Sequence, residues 1–178
     1  MTDIKKFHRK EYVPSMEIFE GTWRTIDRNL KEMGLIVKQI SAKKELFPTE
    51  STDLLFYLGS CLYDFYLLVE ECLLMIARII DKWIPSSLDW HERLIAHLQN
   101  PIPEKRPPVL SAATASQLPD YLYFYMNFHR RCSSLSFSKV EKMCKNLDQL
   151  YLQLERELRT FNSFLEILQR AHRQLPSK

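Results

Sequence analysis

Between Leu54 and Ile80 the chain runs through Leu54, Leu55, Leu58, Leu62, Phe65, Leu68, Val69, Cys72, Met75, Ile76, Ile79 and Ile80. On a helix these residues cover more than half of the circumference, so the segment has to be enclosed by other parts of the fold. Asp53, Asp64, Glu70, Glu71 and Arg78 are set into or beside the same run. Charges at that density exclude a membrane span and leave a central core helix. Such a helix touches two neighbours in its own chain and keeps surface for a second subunit.

The rest of the sequence supplies those neighbours. Trp23, Ile26, Leu30, Met33, Val37 and Ile40 recur three and four apart, which predicts a helix from about Pro14 to Lys43. Phe47-Pro48-Thr49-Glu50 breaks it. Ser51 or Thr52 caps the central helix, with Asp53 at its positive end, and that helix runs to about Trp83. Pro85-Ser86-Ser87 ends it, and Asp89 with Glu92 reads as a capping box for a short helix closing near Leu98. Residues 99–110 hold Pro101, Pro103, Pro107 and Pro108, which predicts an extended connection kept stiff by its prolines. A third main helix starts around Thr114 or Pro119 and ends near Arg131. The last starts at Ser138, with Glu141 three residues on, and carries Val140, Met143, Leu147, Leu150, Leu154, Leu158, Phe161, Leu165 and Leu168. At about 1.5 Å per residue the second and last helices each span about 45–50 Å. The expectation is all-α: an elongated up-and-down bundle of four main helices plus a short accessory helix. It forms one domain over 1–178 with its core over about 16–172.

Composition narrows the function classes. Of 178 residues, 46% are hydrophobic and 26% charged, as in a globular chain. A net charge of +3 permits an acidic partner without requiring one. Three glycines argue against glycine-rich phosphate loops. The opening Met1-Thr2-Asp3-Ile4-Lys5-Lys6 has no apolar run behind it and is not read as a signal peptide. Cys61, Cys72, Cys132 and Cys144 lie far apart without a Cys-x-x-Cys pair, which reads as reduced thiols in a cytoplasmic protein. No cofactor is expected and no metal site. Apolar periodicity by itself stops at a helical bundle with no function attached.

Specificity begins at Asp89-Trp90-His91-Glu92-Arg93-Leu94-Ile95, followed by Arg106-Pro107-Pro108-Val109-Leu110-Ser111 and Leu118-Pro119-Asp120-Tyr121-Leu122-Tyr123-Phe124. The order resembles the HepT-like branch of the HEPN superfamily over about residues 20–170. Leu62-Tyr63-Asp64-Phe65-Tyr66 and Glu70 to Arg78 are similar to the second helix of that branch. The Arg-Pro-Pro-Val-Leu-Ser linker is the most specific part, because helix packing alone does not ask for it.

The resemblance implies a ribonuclease toxin of a toxin–antitoxin pair. Its active sequence is Arg-x4-His-x-Tyr near the end of the third main helix, two copies facing each other in a homodimer without metal. An imidazole moves the proton of a ribose 2′-OH and a guanidinium holds the phosphate. The partner implied is a minimal nucleotidyltransferase (MNT-type) antitoxin, which adenylylates the motif tyrosine. On this chain the histidine position falls on His129, the arginine position on Phe124 and the tyrosine position on Arg131. Phe124 cannot hold a phosphate. Arg93 and His97 have three residues between them and sit on the accessory helix.

The candidate catalytic residues are therefore His129 with Arg130 or Arg131, set against a surface histidine followed by a solvated basic pair. Asn127 and Lys139 are the candidate RNA-binding residues, against plain polar helix positions. Lys142 and Lys145 continue the Lys139 face. Tyr121, Tyr123, Phe124, Tyr125 and Phe128 read as core and interface rather than as base-stacking groups, and Trp90 with His91 as packing for the short helix. Three functions compete: a ribonuclease toxin with an altered site, a non-catalytic dimeric module binding RNA or protein, and a helical adaptor alike in fold only.

Overall fold

The computed structural model describes residues 16–43, 45–46, 51–83, 86–128 and 136–173, with side chains described from 20 to 170. The helices are α1 (Met16–Ser41), α2 (Thr52–Met75), α3 (Trp90–Gln99), α4 (Ala112–Phe128) and α5 (Phe137–Arg173). Four long helices and one short one make an all-α bundle. The sole β feature among the described residues is the isolated bridge between Ile102 and Arg106. None of the described helices is long and apolar enough to cross a membrane.

α2 is central, as its apolar girth requires: it packs on α1, α3, α4 and α5. Its start is cut by Ser51, whose hydroxyl accepts from the Leu54 amide at 3.1 Å, with Asp53 in the first turn. α1 and α5 run antiparallel beside it. Ser41 at the end of α1 meets Asp148 early in α5, and Asp27 nearer the start of α1 meets Arg159 further along. At Gly34 a Cβ would stand 2.7 Å from the Tyr151 hydroxyl, so this glycine leaves room on α1 for the end of the Tyr151 side chain. Cys61, Cys72 and Cys144 are buried and free; Cys132 lies outside the described residues.

The end of α2 sets the rest of the chain. Over Ile76–Ile80 the helix widens into a π turn, with the Asp81 amide bonding Ile76 O at 3.2 Å. Lys82 then takes φ 57°, a left-handed conformation that costs about 1 kcal/mol or more in a residue with a Cβ. Asp81 is thereby turned inward onto Arg106, which is 0% exposed. The Arg106 Nε donates to Asp81 Oδ1 at 2.8 Å and Nη2 to Oδ2 at 2.8 Å. Nη1 donates to Asn100 O and Pro107 O, and Nη2 also to His97 O. His97 Nε2 lies 2.7 Å from Asp81 Oδ2, its ring stacked on Trp83. A buried guanidinium is tolerated because each of its donors is used.

This arrangement gives the Arg-Pro-Pro-Val-Leu-Ser linker a packing role, contrary to the expectation from sequence. Arg106 clamps the end of α2. The Val109 and Leu110 amides close α3 on Leu98 O at 2.9 and 3.2 Å. Ser111 Oγ accepts from the Thr114 amide and starts α4. The connection is also not extended: the Ile102 and Arg106 backbones bond each other twice around a turn with Glu104 at φ 62°.

Two helix starts differ from expectation. α4 begins at Ala112, with Pro119 inside it; the proline stands on the exposed side. Asp89 precedes α3 without a capping bond from its side chain, because its carboxylate takes the Ser87 hydroxyl, which lowers its pKa. The expected starts near Pro14 and ends near Arg131 fall outside the described residues.

Arg106→Met strands the Asp81 carboxylate in the interior and should lower the unfolding free energy by about 3–5 kcal/mol in urea titration. Removing both charges with Asp81→Asn and Arg106→Met should cost less than the single change. A single variant as stable as the parent would contradict this account.

Candidate functional site

α4 divides its residues cleanly between inside and outside. Thr114, Ala115, Leu118, Tyr121, Leu122, Phe124 and Phe128 face inward. Three hydrogen bonds fix its register on α5: Thr114 Oγ1 donates to Glu157 at 2.8 Å, Gln117 to Gln153 at 2.8 Å, and the Tyr121 hydroxyl to Met143 O at 2.9 Å. Phe128 turns the edge of its ring towards Gly59 of α2, where a Cβ would meet a ring carbon at 2.5 Å. The outer side carries Asp120, Tyr123 and Met126.

The aromatic run is therefore split. Phe124, at the position aligned with the arginine, is 5% exposed, with its ring 5.4 Å from Phe128. Tyr123 is 55% exposed and available for contact, so it lies outside the core. Lys139 of α5 holds its Nζ 4.7 Å from the Tyr123 ring centroid, a cation–π contact. Asn127 donates to Tyr123 O at 2.8 Å. The structure thus brings together the two candidate RNA-binding residues, Asn127 and Lys139, around one exposed tyrosine. Of the neighbouring lysines, Lys145 is paired with Glu141 at 2.7 Å, and Lys142 is exposed. His129, Arg130 and Arg131 lie outside the described residues. α4 itself carries no lysine, arginine or histidine.

A second cluster was not singled out from the sequence. Glu70 of α2 is 7% exposed, and burial pushes its carboxyl up to about 7. His91 Nε2 stands 3.1 Å from Glu70 Oε2, out of line for a hydrogen bond, and no described donor satisfies that oxygen. Burial also lowers the His91 pKa. The His91 ring stacks on Trp90 at 3.6 Å, and Tyr125 lies beside it at 6.4 Å. Tyr125 in turn stacks on Tyr63 at 4.8 Å and meets Tyr66 at 5.1 Å. Trp90 and His91 do pack the short helix, as expected, but onto an ionisable group in the α2–α4 seam. The signal in the sequence was Glu70 on the apolar side of its helix, in register with Tyr66 and Leu73. Among the described residues no group of three or more His, Cys, Asp or Glu is placed to hold a metal ion.

A family model described as HepT-like protein matches residues 57–165. That is more than half of the chain, from the second turn of α2 to the last turns of α5, and the chain belongs to this family. No curated protein and no solved structure matches it.

Two outcomes follow from these environments. Phe124→Arg forces a guanidinium into an apolar seam and should destabilise the fold by about 3 kcal/mol or more, whereas Phe124→Leu should cost about 1 kcal/mol; urea titration of both checks this. For Glu70, a raised carboxyl pKa means that the folded state binds the proton more tightly than the unfolded chain does. Stability contributed by the protonated group is present below pH 4.5 and is lost as pH rises towards about 7. Glu70→Gln removes that loss while His91 titrates as before. The Tm of the variant relative to the parent should be higher at pH 8 than at pH 5, and an equal difference at both would refute the assignment.

Proposed function

We propose that this HepT-like protein is the toxin-side member of a toxin–antitoxin type module that binds RNA without cutting it. The observation that carries the reading is Phe124: it is buried against Phe128, at the position where the resemblance calls for a phosphate-holding arginine. Over its described residues, Ala112–Phe128, α4 carries no other cation in its place. Without a guanidinium, the charge that develops on a phosphate during cleavage has no partner on this helix.

Binding asks for less than cleavage. An exposed tyrosine with a lysine over its ring offers a base a stacking face and a phosphate a positive charge. The reading includes self-association into a homodimer. Support comes from apolar side chains left on the outer sides of α2 and α4, among them Phe56, Tyr57, Leu67 and Met126. It also includes a nucleotidyltransferase-type partner, on the strength of the family resemblance. With Arg131 at the tyrosine position, adenylylation there is not available to such a partner.

The enzyme reading draws on Arg130 and Arg131, which directly follow His129 in sequence and could replace the missing guanidinium. Anisotropy of a labelled single-stranded RNA tests the binding reading. Tyr123→Ala should weaken binding by about tenfold. Lys139→Ala should weaken it for all sequences alike and reduce the salt slope by about one. Absence of RNA binding by the native protein at micromolar concentration, or wild-type affinity in both variants, would sink it.

A further inference from the structure

α3 meets the bundle at each of its ends through an imidazole set against a carboxyl group, and the two contacts are not alike. At the far end His97 Nε2 lies 2.7 Å from Asp81 Oδ2, and the Arg106 guanidinium matches the charge of that carboxylate. At the near end His91 Nε2 stands 3.1 Å from Glu70 Oε2. That oxygen is sealed from solvent and has no hydrogen-bond partner. Among the described residues no lysine or arginine offsets a charge on Glu70, and burial alone pushes its carboxyl up to about 7.

Three helices meet on this carboxyl. Tyr66 faces it from α2, His91 from α3 and Tyr125 from α4. Burial pushes both phenols up, Tyr125 to about 12, so they stay neutral while Glu70 and His91 titrate. Glu92 and Arg93, next along α3, are exposed. A neutral carboxyl is tolerated in such a seam, whereas a carboxylate with an orphaned oxygen is costly there. His91 lies in the first turn of α3, so lifting that turn lets water reach Glu70. The rest of α3 is fastened separately, by the buried Leu94, Ile95 and Leu98 and by the Val109 and Leu110 amides on Leu98 O. The helix thus has one fixed end and one end that rests on an ionisable group.

We propose that the start of α3 is a proton-operated latch: a neutral Glu70 keeps His91 and its stacked Trp90 docked in the α2–α4 seam, and an ionised Glu70 releases them. The docked seam binds the Glu70 proton more tightly than the opened one does. Docking that depends on this proton is present below pH 4.5 and is lost as pH rises towards about 7. His91 acts in the opposite sense: burial lowers its pKa, so its protonation below pH 6.5 favours release. Glu70 is the more strongly perturbed of the two, and release on raising the pH dominates. The latch is a property of the fold and would stand if the RNA-binding reading fell.

Amide hydrogen exchange of the full chain at pH 5 and pH 8, each rate divided by that of an unstructured peptide at the same pH, tests it. The Arg93 amide, bonded to Asp89 O, reports the start of α3, and the Val109 amide, bonded to Leu98 O, reports its fixed end. Protection at Arg93 should fall by about tenfold from pH 5 to pH 8. At pH 8 it should be at least about tenfold below that at Val109, because the latch opens while the fixed end stays closed. In Glu70→Gln the fall at Arg93 should vanish or reverse, since His91 alone then titrates there; in His91→Gln it should persist. The proposal is overturned by equal protection of Arg93 at the two pH values, by equal protection of Arg93 and Val109 at pH 8, or by a fall in Glu70→Gln as large as in the native chain. Comparing the two amides in the native protein keeps the test decisive if Glu70→Gln does not fold.

Discussion

The fold turns on one buried ion pair. Asp81 and Arg106 meet at 2.8 Å where α2 ends, and the guanidinium also ties down Asn100 O, Pro107 O and His97 O. The chain from the end of α2 through α3 to the start of α4 is positioned by that contact. His97 brings α3 onto Asp81, Lys105 bonds Asp81 O, and the Val109 and Leu110 amides close α3 just before Ser111 opens α4. The π turn over Ile76–Ile80 and the left-handed Lys82 are the local distortions that aim Asp81 inward. A pair this deep gains little over an apolar replacement, but it specifies one geometry because each half is costly alone.

Helix identity was legible because it rests on periodicity. The stripe from Ile26 to Ile40 and the one from Val140 to Leu168 are buried as their spacing requires, and Ser51 caps α2 as its residue type suggests. The linker was legible only as a signature. A six-residue motif does not reveal that its arginine will be engulfed by a carboxylate 25 residues earlier, so its packing role was missed. The start of α4 was misjudged for a related reason. Pro119 reads as a boundary, yet on the exposed side of an otherwise tied-down helix the lost amide is affordable. Glu70 escaped notice because period alone does not say which charged residue in an apolar run is enclosed; that depends on His91 and Tyr125 arriving from two other helices.

The same distinction governs the functional reading. Tyr123 and Phe124 are adjacent and chemically alike, yet one stands out to solvent under Lys139 and the other is sealed against Phe128. Helical geometry separates neighbours by about 100°, so the register fixed by Thr114, Gln117 and Tyr121 on α5 decides which is which. A residue at position 124 serves the core first. An arginine introduced there would have to overcome that packing before it met any phosphate.

The central claim, a HepT-like scaffold that holds RNA but does not cut it, is most directly tested by single-turnover incubation of labelled RNA with excess protein in the absence of divalent metal. The account predicts no cleavage above the protein-free background. Cleavage that disappears in His129→Ala would contradict it and would place a working active site on the segment that follows α4.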